Sequence, residues 1–338
     1  MLPNPTCAPL TFVSAISCPP GFFPVRRSGE RRENKTVGDK QVIRGTEKTA
    51  AAVIVNYNAG TALLSCVKSV VNEGLEAVVV DNASRDNSLD SLAAISSGLR
   101  VIRLDDNLGY GSAVNIGAAV LETDYILVMN PDVELAPASF SALKKVLDEN
   151  DDIALVGPKL TYPDGGFYPS ARSFPSYTTA FAHAFLGIFW KNNKWSKRYR
   201  LEEEGSGRDS SAPREVDWVS GACFLVRKTA FEAVSGFDTG YFMYVEDLDL
   251  SWQLKKAGWR IFFEPRAVVV HDQGLSARKH PYKMTAAHHF STWRFVCKTN
   301  DGTSAILLPF IGIALFVRMI IAIIKEFYTE VKSKTSGR

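Results

Sequence analysis

Three carboxylates within four positions, Glu246, Asp247 and Asp249 in YVEDLDLSWQLKKAGW, and a fourth, Asp132, ending the apolar run in YILVMNPDVEL, have the types and spacing for chemistry. A carboxylate in a partly dry cleft can act as a general base, and the apolar GYFMYV before Glu246 would supply such surroundings. Acids at a helix start also complement its positive end, with no chemistry implied. A carboxylate delivered by a buried strand suits a hard divalent cation, which prefers oxygen ligands. An Asx turn that merely ends the strand has the same sequence, NPD. His271 closes another apolar run, AVVVH, where a histidine is either a structural cap or a metal ligand. His280, His288 and His289 carry no comparable pattern.

The elements that must position these groups follow from periodicity. AAVIVNYN, EAVVVDN, RVIRL and DYILVMN read as strands; TALLSCVKSVVNEG, DNSLDSLAAISSG (capped near Asp86) and GSAVNIGAAVLE read as the helices between them. Such alternation predicts a parallel sheet covered on both faces. Ligands of these sheets sit beyond the carboxyl ends of the strands, where the polar residues gather: Asn56-Tyr57-Asn58, Asp81-Asn82, Asp105-Asp106-Asn107 and Asn130-Pro131-Asp132. Four rim motifs in register favour a site at Asp132 over a simple turn. NYNAGT lacks the GxGxxG turn and GYGSAV matches it only in part, which argues against a nicotinamide cofactor; GxxxxGK[ST] is absent. A nucleotide still fits, since Asp81 can accept from a base N–H and the asparagines both donate and accept.

With 338 residues and 46% hydrophobic content, the chain can build one large α/β domain with appendages or two small domains. A net charge of +3 from dispersed basic residues argues against a nucleic-acid partner. Cys7, Cys18, Cys66, Cys223 and Cys297 form no CxxC pair and are expected as reduced thiols. Residues 1–48, with six prolines up to Pro24 and then RRSGERRENK, predict a disordered lead-in. Their apolar stretch precedes the arginines, the reverse of a signal peptide. In the tail, 301–338, AILLPFIGIALFVRMIIAIIKEFY places Arg318 between thirteen uncharged and six apolar residues. The central charge favours a helix lying on the membrane over the alternative, a single C-terminal transmembrane helix. Residues 177–200 join an aromatic apolar run to a basic cluster, the composition of a second interfacial anchor.

VIVNYN, VVVDNASRDNS, NLGYGSAVNIG, MNPDVEL and the long run from VDWVSGACFLVRK through YVEDLDLSWQLKKAGW to VVVHDQG together resemble the family 2 glycosyltransferases of GT-A fold. More narrowly they are similar to the rhamnosyltransferases of bacterial cell-wall and O-antigen assembly. The resemblance implies an α/β domain over 49–300, a mostly parallel sheet flanked by helices, with 49–135 taking the nucleotide sugar and 136–300 the acceptor. C-terminal membrane-associating helices would follow. It implies inverting transfer of a sugar, L-rhamnose from dTDP-L-rhamnose first, to a lipid-linked saccharide at the cytoplasmic face of the cell membrane. Another donor, a UDP-hexose or galactofuranose, is the alternative; a sugar nucleotidyltransferase or a non-catalytic binding module ranks below it. The Q-x-x-R-W signature of processive synthases is absent.

On the same resemblance, Asp247 is the base, with Glu246 as runner-up or acceptor-orienting group. Asn56, Tyr57, Asn58, Asp81, Asn82, Asn107, Gly109, Asn115, Asn130 and Asp132 would line the donor site. Asp132 and His271 would hold Mg2+ or Mn2+, with Asn130 standing where the family usually has the first acid of Asp-x-Asp. Trp218, Gly221 and Ala222 would face sugar and acceptor. Arg172, in the loop DGGFYPSARSFP, would meet acceptor or diphosphate.

Overall fold

The protein is described by a computed structural model over residues 49–174, 212–272, 281–300, 302 and 305–336. The expected lead-in at 1–48 and the basic-aromatic stretch at 177–200 lie outside these residues. The first half winds as β1 (Ala50–Asn56), α1 (Ala62–Asn72), β2 (Glu76–Asp81), β3 (Leu99–Arg103), α2 (Tyr110–Ala119) and β4 (Tyr125–Met129). Every residue of β4 and six of the seven in β1 are buried, as expected of strands covered on both faces. One core packs α1 and α3 (Ser139–Glu149) against the sheet through Leu63, Val67, Leu143 and Leu147. The other packs α2, α4 (Lys228–Ala233) and α5 (Glu246–Lys256) through Val114, Phe231, Phe237 and Leu254.

The expected helix after β2 is only a 3-10 turn, Asp90–Ala94. Asp86 Oδ1 accepts from the Ser88 N–H (3.2 Å) and hydroxyl (2.6 Å), and Asp86 Oδ2 from the Gly60 N–H (2.9 Å). These short polar side chains bond to nearby groups in a turn, and so compete with a helical ladder.

The second half adds β5 (Val133–Leu135), β6 (Ile153–Thr161), β7 (Phe167–Tyr168), β8 (Ala171–Arg172), β9 (Arg214–Glu215), β10 (Trp218–Val219), β11 (Cys223–Arg227) and β12 (Arg260–His271). The main sheet runs β3-β2-β1-β4-β11-β6-β12-β5, so both expected halves share one sheet. β3, β2, β1 and β4 are parallel, β11 is antiparallel to β4 and β6, and β6 and β12 are parallel. Two pairings make the site. Antiparallel β11 starts where β4 ends, Cys223 opposite Met129, which sets the 220–222 turn beside Asn130. β5 pairs antiparallel with β12, His271 opposite Val133, which sets His271 beside Asp132.

The boundary expected near residue 300 falls between two helices that pack on each other. α6 (Pro281–Thr299) and α7 (Leu308–Ser336) run antiparallel: the Tyr282 hydroxyl donates to Glu330 (2.6 Å), the Thr285 hydroxyl donates to Glu326 (2.9 Å), and Gly312 lies against the Trp293 ring. Charge fastens α6 to the domain. Lys298 bridges Asp249, which is fully buried on α5, at 2.8 Å and Asp238 at 2.9 Å; Arg294 also pairs with Asp238 at 2.8 Å.

Removing one partner of a buried ion pair leaves a charge out of water without compensation. Lys298→Met should therefore lower unfolding free energy by about 3 kcal/mol in urea titrations; a loss under about 0.5 kcal/mol would show that Asp249 needs no counter-ion. Asp238 supplies a pH test. Burial opposes its charge, but Lys298, the Gly240 N–H and Arg294 outweigh burial and bring its pKa down to about 2. A depressed carboxylate stabilises the fold above its ordinary value and loses that contribution as pH falls toward 2. The acid-induced loss of stability below pH 4 should be shallower in Asp238→Asn than in the wild type.

Candidate active site

The Asp247 carboxylate is held at the start of α5 by two peptide groups. Its Oδ2 accepts from the Gly221 N–H at 2.8 Å and its Oδ1 from the Leu248 N–H at 2.8 Å. Burial raises its pKa, offset in part by those two bonds and by the Arg172 charge. The result is a fixed carboxylate with greater proton affinity than usual and one lone-pair direction free on each oxygen. Gly221 allows the close approach, since a Cβ there would lie a tight 3.1 Å from Asp247 Cβ. The Gly221 carbonyl accepts from the Tyr110 hydroxyl at 2.7 Å, so α2 clamps the same peptide.

Glu246 is 7% exposed, and its Oε2 is buried with no hydrogen-bond partner. Burial and the neighbouring Asp247 push its pKa up to about 8. Its environment favours the neutral form, and Asp247, held by two backbone N–H groups and the Arg172 charge, is the acid of the pair whose ionised form is supported. The turn that delivers both acids is strained: Tyr244 and Val245 have φ of 69° and 70°. A β-branched residue in the left-handed region is a genuine outlier, of the kind that concentrates at functional sites.

Beyond the 220–222 turn, His271 Nε2 lies 3.4 Å from Asp132 Oδ1. Asp132 Oδ1 and His271 Nδ1 are buried without hydrogen-bond partners, and the Asp272 N–H donates to the Asp132 carbonyl at 3.0 Å. An orphaned carboxylate oxygen facing an imidazole nitrogen fits a divalent cation. No group of three metal-ligating side chains gathers among the described residues, so the remaining positions would fall to substrate phosphate oxygens and water, as is common for Mg2+. The two centres are joined through the 220–222 turn: the Asn130 N–H donates to the Ala222 carbonyl at 2.8 Å. Asp132 also lines a cleft of about 470 Å³ shared with Asn58, Gly60, Thr61, Asp86 and Asp272.

The rim residues divide into those at the cleft and those that build it. Asn56 is fully buried; its amide donates to Asp81 Oδ1 (2.7 Å) and to the Ser84 and Ser88 hydroxyls (3.1 and 2.8 Å). It holds Asp81 at the rim. Asn58 accepts from the Arg85 N–H at 2.7 Å and lines the cleft, with half-buried Tyr57 beside it. Asn82 and Asn115, expected among the donor contacts, also clamp the backbone. Asn82 accepts from the Leu108 N–H (2.9 Å) and donates to the Gly109 carbonyl (3.1 Å). Asn115 donates to the Phe237 carbonyl (2.8 Å) and accepts from its N–H (2.9 Å). Asn107 accepts from the Gly109 N–H at 3.0 Å, closing the turn before α2. Gly109 adopts φ of 87°, and a Cβ there would collide with the Phe242 carbonyl.

On the acceptor side, β8 pairs with β10, Arg172 opposite Trp218, and the guanidinium lies 4.8 Å from the Trp218 ring centroid. The Trp218 indole N–H donates to the Ser173 carbonyl at 3.1 Å, and Ala222 is 4% exposed beside Gly221. Tyr110, Tyr168 and the Lys298–Asp249 pair were not singled out from the sequence. Tyr168 packs its ring 5.2 Å from His271. Their only sequence signal is an aromatic or a charge within a motif read for other reasons.

The two acids of α5 separate experimentally. Asp247→Asn keeps the shape without the proton acceptor, so kcat should fall by about 10²-fold or more with donor binding kept. Glu246→Gln imitates the neutral form and should keep most activity at pH 7; the reverse pattern would exchange their roles. The folded state raises the Glu246 pKa above its ordinary 4.5, so ionising it costs stability as pH rises from there to about 8. Glu246→Gln should consequently raise the melting temperature at pH 8 but not at pH 4, as read by calorimetry.

Comparison with known proteins identifies the family and the fold. The chain is 37% identical over 264 residues to the N-acetylglucosaminyl-diphospho-decaprenol L-rhamnosyltransferase of Mycobacterium tuberculosis, covering 74% of this chain and 84% of that protein. It is 29% identical over 211 residues to the rhamnosyltransferase WbbL of Escherichia coli K12, covering 56% and 70%. The fold is shared with the mannosyltransferase PcManGT of Pyrobaculum calidifontis in complex with GDP-Man and Mn2+, at TM-score 0.52 and 13% identity over 87% of this chain and 81% of that one. GalNAc-T7 with UDP, GalNAc and Mn2+ gives TM-score 0.51 and 17% identity over 66% and 43%. The family described as Glycosyl transferase family 2 matches residues 51–235, from the first rim strand through the Gly221 turn, and the chain belongs to it as an inverting glycosyltransferase of GT-A fold.

Proposed function

We propose that this glycosyltransferase moves L-rhamnose from dTDP-L-rhamnose, with inversion, onto an N-acetylglucosaminyl diphosphate lipid at the cytoplasmic face of the cell membrane. The observation that carries the reading is the buried Asp247 carboxylate, fixed by the Gly221 N–H on the same turn whose Ala222 carbonyl is bonded to the strand end that carries Asp132 beside His271. The 37% identity to a mycobacterial enzyme named for that acceptor and sugar supports the choice of substrates.

Asp247 takes the proton of the acceptor hydroxyl as its oxygen bonds to the anomeric carbon. The bond from that carbon to the phosphate oxygen breaks on the opposite face, so the configuration inverts and the nucleoside diphosphate leaves. Asp81, oriented by Asn56, accepts from the base N–H, and Tyr57, Asn58 and Asn130 border the nucleotide. Asp132 and His271 would hold a Mg2+ or Mn2+ ion, which when bound neutralises charge developing on the departing diphosphate. Trp218 and Arg172 border the sugar and acceptor.

Membrane association has its own support. α7 includes Leu308–Lys332, a segment long and apolar enough by length and composition to cross a membrane, whose most apolar stretch is almost wholly unburied. Its uncovered side carries Phe310, Ile313, Phe316, Ile324 and Phe327, each more than half exposed, while its other side packs on α6. A helix apolar on its free face and fastened along its length to a folded domain suits a helix lying in the interface.

Two measurements test the reading. Asp132→Ala should abolish Mn2+-dependent binding of dTDP in calorimetry with an unchanged melting curve, and His271→Ala should weaken it about tenfold; binding of dTDP at full strength in Asp132→Ala removes the metal assignment. In a screen of dTDP-, UDP- and GDP-sugars against an N-acetylglucosaminyl diphosphate lipid, turnover should require dTDP-rhamnose. Equal turnover with UDP-galactofuranose would reassign the donor.

A further inference from the structure

Tyr110 opens α2, and both of its polar groups are bonded to segments far along the chain. Its N–H donates to the Phe242 carbonyl at 3.1 Å and its hydroxyl to the Gly221 carbonyl at 2.7 Å. Phe242 stands two residues before Tyr244, the first of the two left-handed residues that deliver Glu246 and Asp247. Gly221 supplies the N–H that holds Asp247 Oδ2 at 2.8 Å. One residue therefore touches both segments that fix the carboxylate, the loop from which it rises and the turn that receives it.

Tyr110 is itself firmly seated. Its ring meets Phe237, a core residue 2% exposed, edge to face with centroids 6.1 Å apart. Next to it, a Cβ on Gly111 would lie 2.8 Å from Phe237 Cβ, so the start of α2 sits close against that core. Gly221 is the opposite case, a buried residue without a side chain, whose backbone has the widest choice of φ and ψ. The peptide groups on either side of it have partners of their own: the Ser220 N–H donates to the Ser170 carbonyl at 2.8 Å, and the Ala222 carbonyl accepts from the Asn130 N–H at 2.8 Å. The Gly221 carbonyl has the Tyr110 hydroxyl. A buried carbonyl turns toward its donor, so a rigid helix end sets the direction of a permissive turn.

We propose that Tyr110 is a positioning residue for the transfer: its hydroxyl orients the Gly221 turn so that Asp247 points where it takes the acceptor proton. The inference rests on the proposed role of Asp247 as proton acceptor. A general base works only within hydrogen-bond reach of the hydroxyl it serves, so a small rotation of the Gly221 N–H lowers the fraction of bound acceptors in line for attack. Tyr110 carries no proton to or from substrate, because its hydroxyl proton is engaged by the Gly221 carbonyl. The donor contacts proposed at Asp81, Asp132 and His271 do not pass through this bond, so its loss acts on the rate of transfer and not on nucleotide affinity.

Tyr110→Phe in the full chain removes the hydroxyl and keeps both the ring on Phe237 and the N–H on Phe242. With an N-acetylglucosaminyl diphosphate lipid as acceptor, kcat should fall about tenfold, equivalent to about 1.4 kcal/mol of barrier, while the KM for dTDP-rhamnose and Mn2+-dependent dTDP binding stay unchanged. Tyr110→4-aminophenylalanine returns an N–H donor to the same place and should recover most of the rate. In the Asp247→Asn background, Tyr110→Phe should cost less than about twofold, because the group it positions has already lost its proton acceptor. An equal tenfold loss in both backgrounds, weaker dTDP binding, or an unchanged kcat would each overturn the proposal. A crystal structure of Tyr110→Phe separates the positioning from the chemistry: Asp247 should have left the Gly221 N–H, and a bond still 2.8 Å long would overturn the positioning role. If the carboxylate is released but Asp247→Asn is fully active, Tyr110 does position Asp247 and the proposed base falls.

Discussion

The hydrogen bond from the Gly221 N–H to Asp247, 2.8 Å long, is the contact through which the two sides of the catalytic centre are held in register. The peptides of residues 220–222 are bonded to three separate elements. α5 meets them through Asp247, α2 through the Tyr110 hydroxyl, and the end of β4 through the Asn130 N–H on the Ala222 carbonyl. Asp247, the proposed proton acceptor, and Asp132, the proposed metal-side carboxylate, thus keep a fixed relation without touching. Because the antiparallel entry of β11 beside β4 generates this turn, the chemistry depends on one strand that departs from the parallel pattern.

Holding that contact requires groups in unfavourable states. Tyr244 and Val245 lie in the left-handed region, at about 1–3 kcal/mol each, and Glu246 is buried with an unpartnered oxygen. The surrounding structure over-determines them. Val245 packs with Trp218, Tyr241, Leu248 and Phe295; Met243 is tied to Ser291; Asp249 is neutralised by Lys298. Three of these fastenings, Phe295, Ser291 and Lys298, come from α6. The helix that anchors the strained turn is also the one against which α7 lies, so the apolar surface and the acids are mechanically close although far apart in the chain.

That closeness suits an inverting glycosyltransferase acting on a lipid-linked acceptor. A sugar near the membrane surface has to reach a dry carboxylate without drawing its lipid out of the bilayer. With α7 in the interface as proposed, a helical hairpin fastened beside Asp247 shortens that path. The ion pairs of Asp238 and Asp249 with α6 make the hairpin part of the domain rather than an independent tail.

Much of this was legible in the residues. The periodicity of AAVIVN, EAVVVD and YILVM marked the strands, because a strand buried on both faces has to be apolar throughout, and the polar tripeptides after them marked the rim. Asp132, Asp247, Gly221 and His271 were picked out, the latter three with roles taken from resemblance. The segment after Asp86 was misread as a helix because its apolar spacing is helical while its Asp and Ser side chains bond locally. The backbone bonds of Asn82 and Asn115 could not be read from the sequence, because an asparagine that clamps backbone and one that binds a base have the same letter and the same local setting. Sequence by itself determined the strands of the first half and the helices α1 and α2 between them, the apolar character of 305–324 and the chemistry available at each strand end, since these follow from local periodicity and residue type. Only the tertiary structure decided that β11 turns antiparallel beside β4, that His271 meets Asp132, that Lys298 neutralises Asp249 and that α7 lies along α6. Each of these is a contact between residues distant in the chain, and its energy exists only when the intervening chain has already folded.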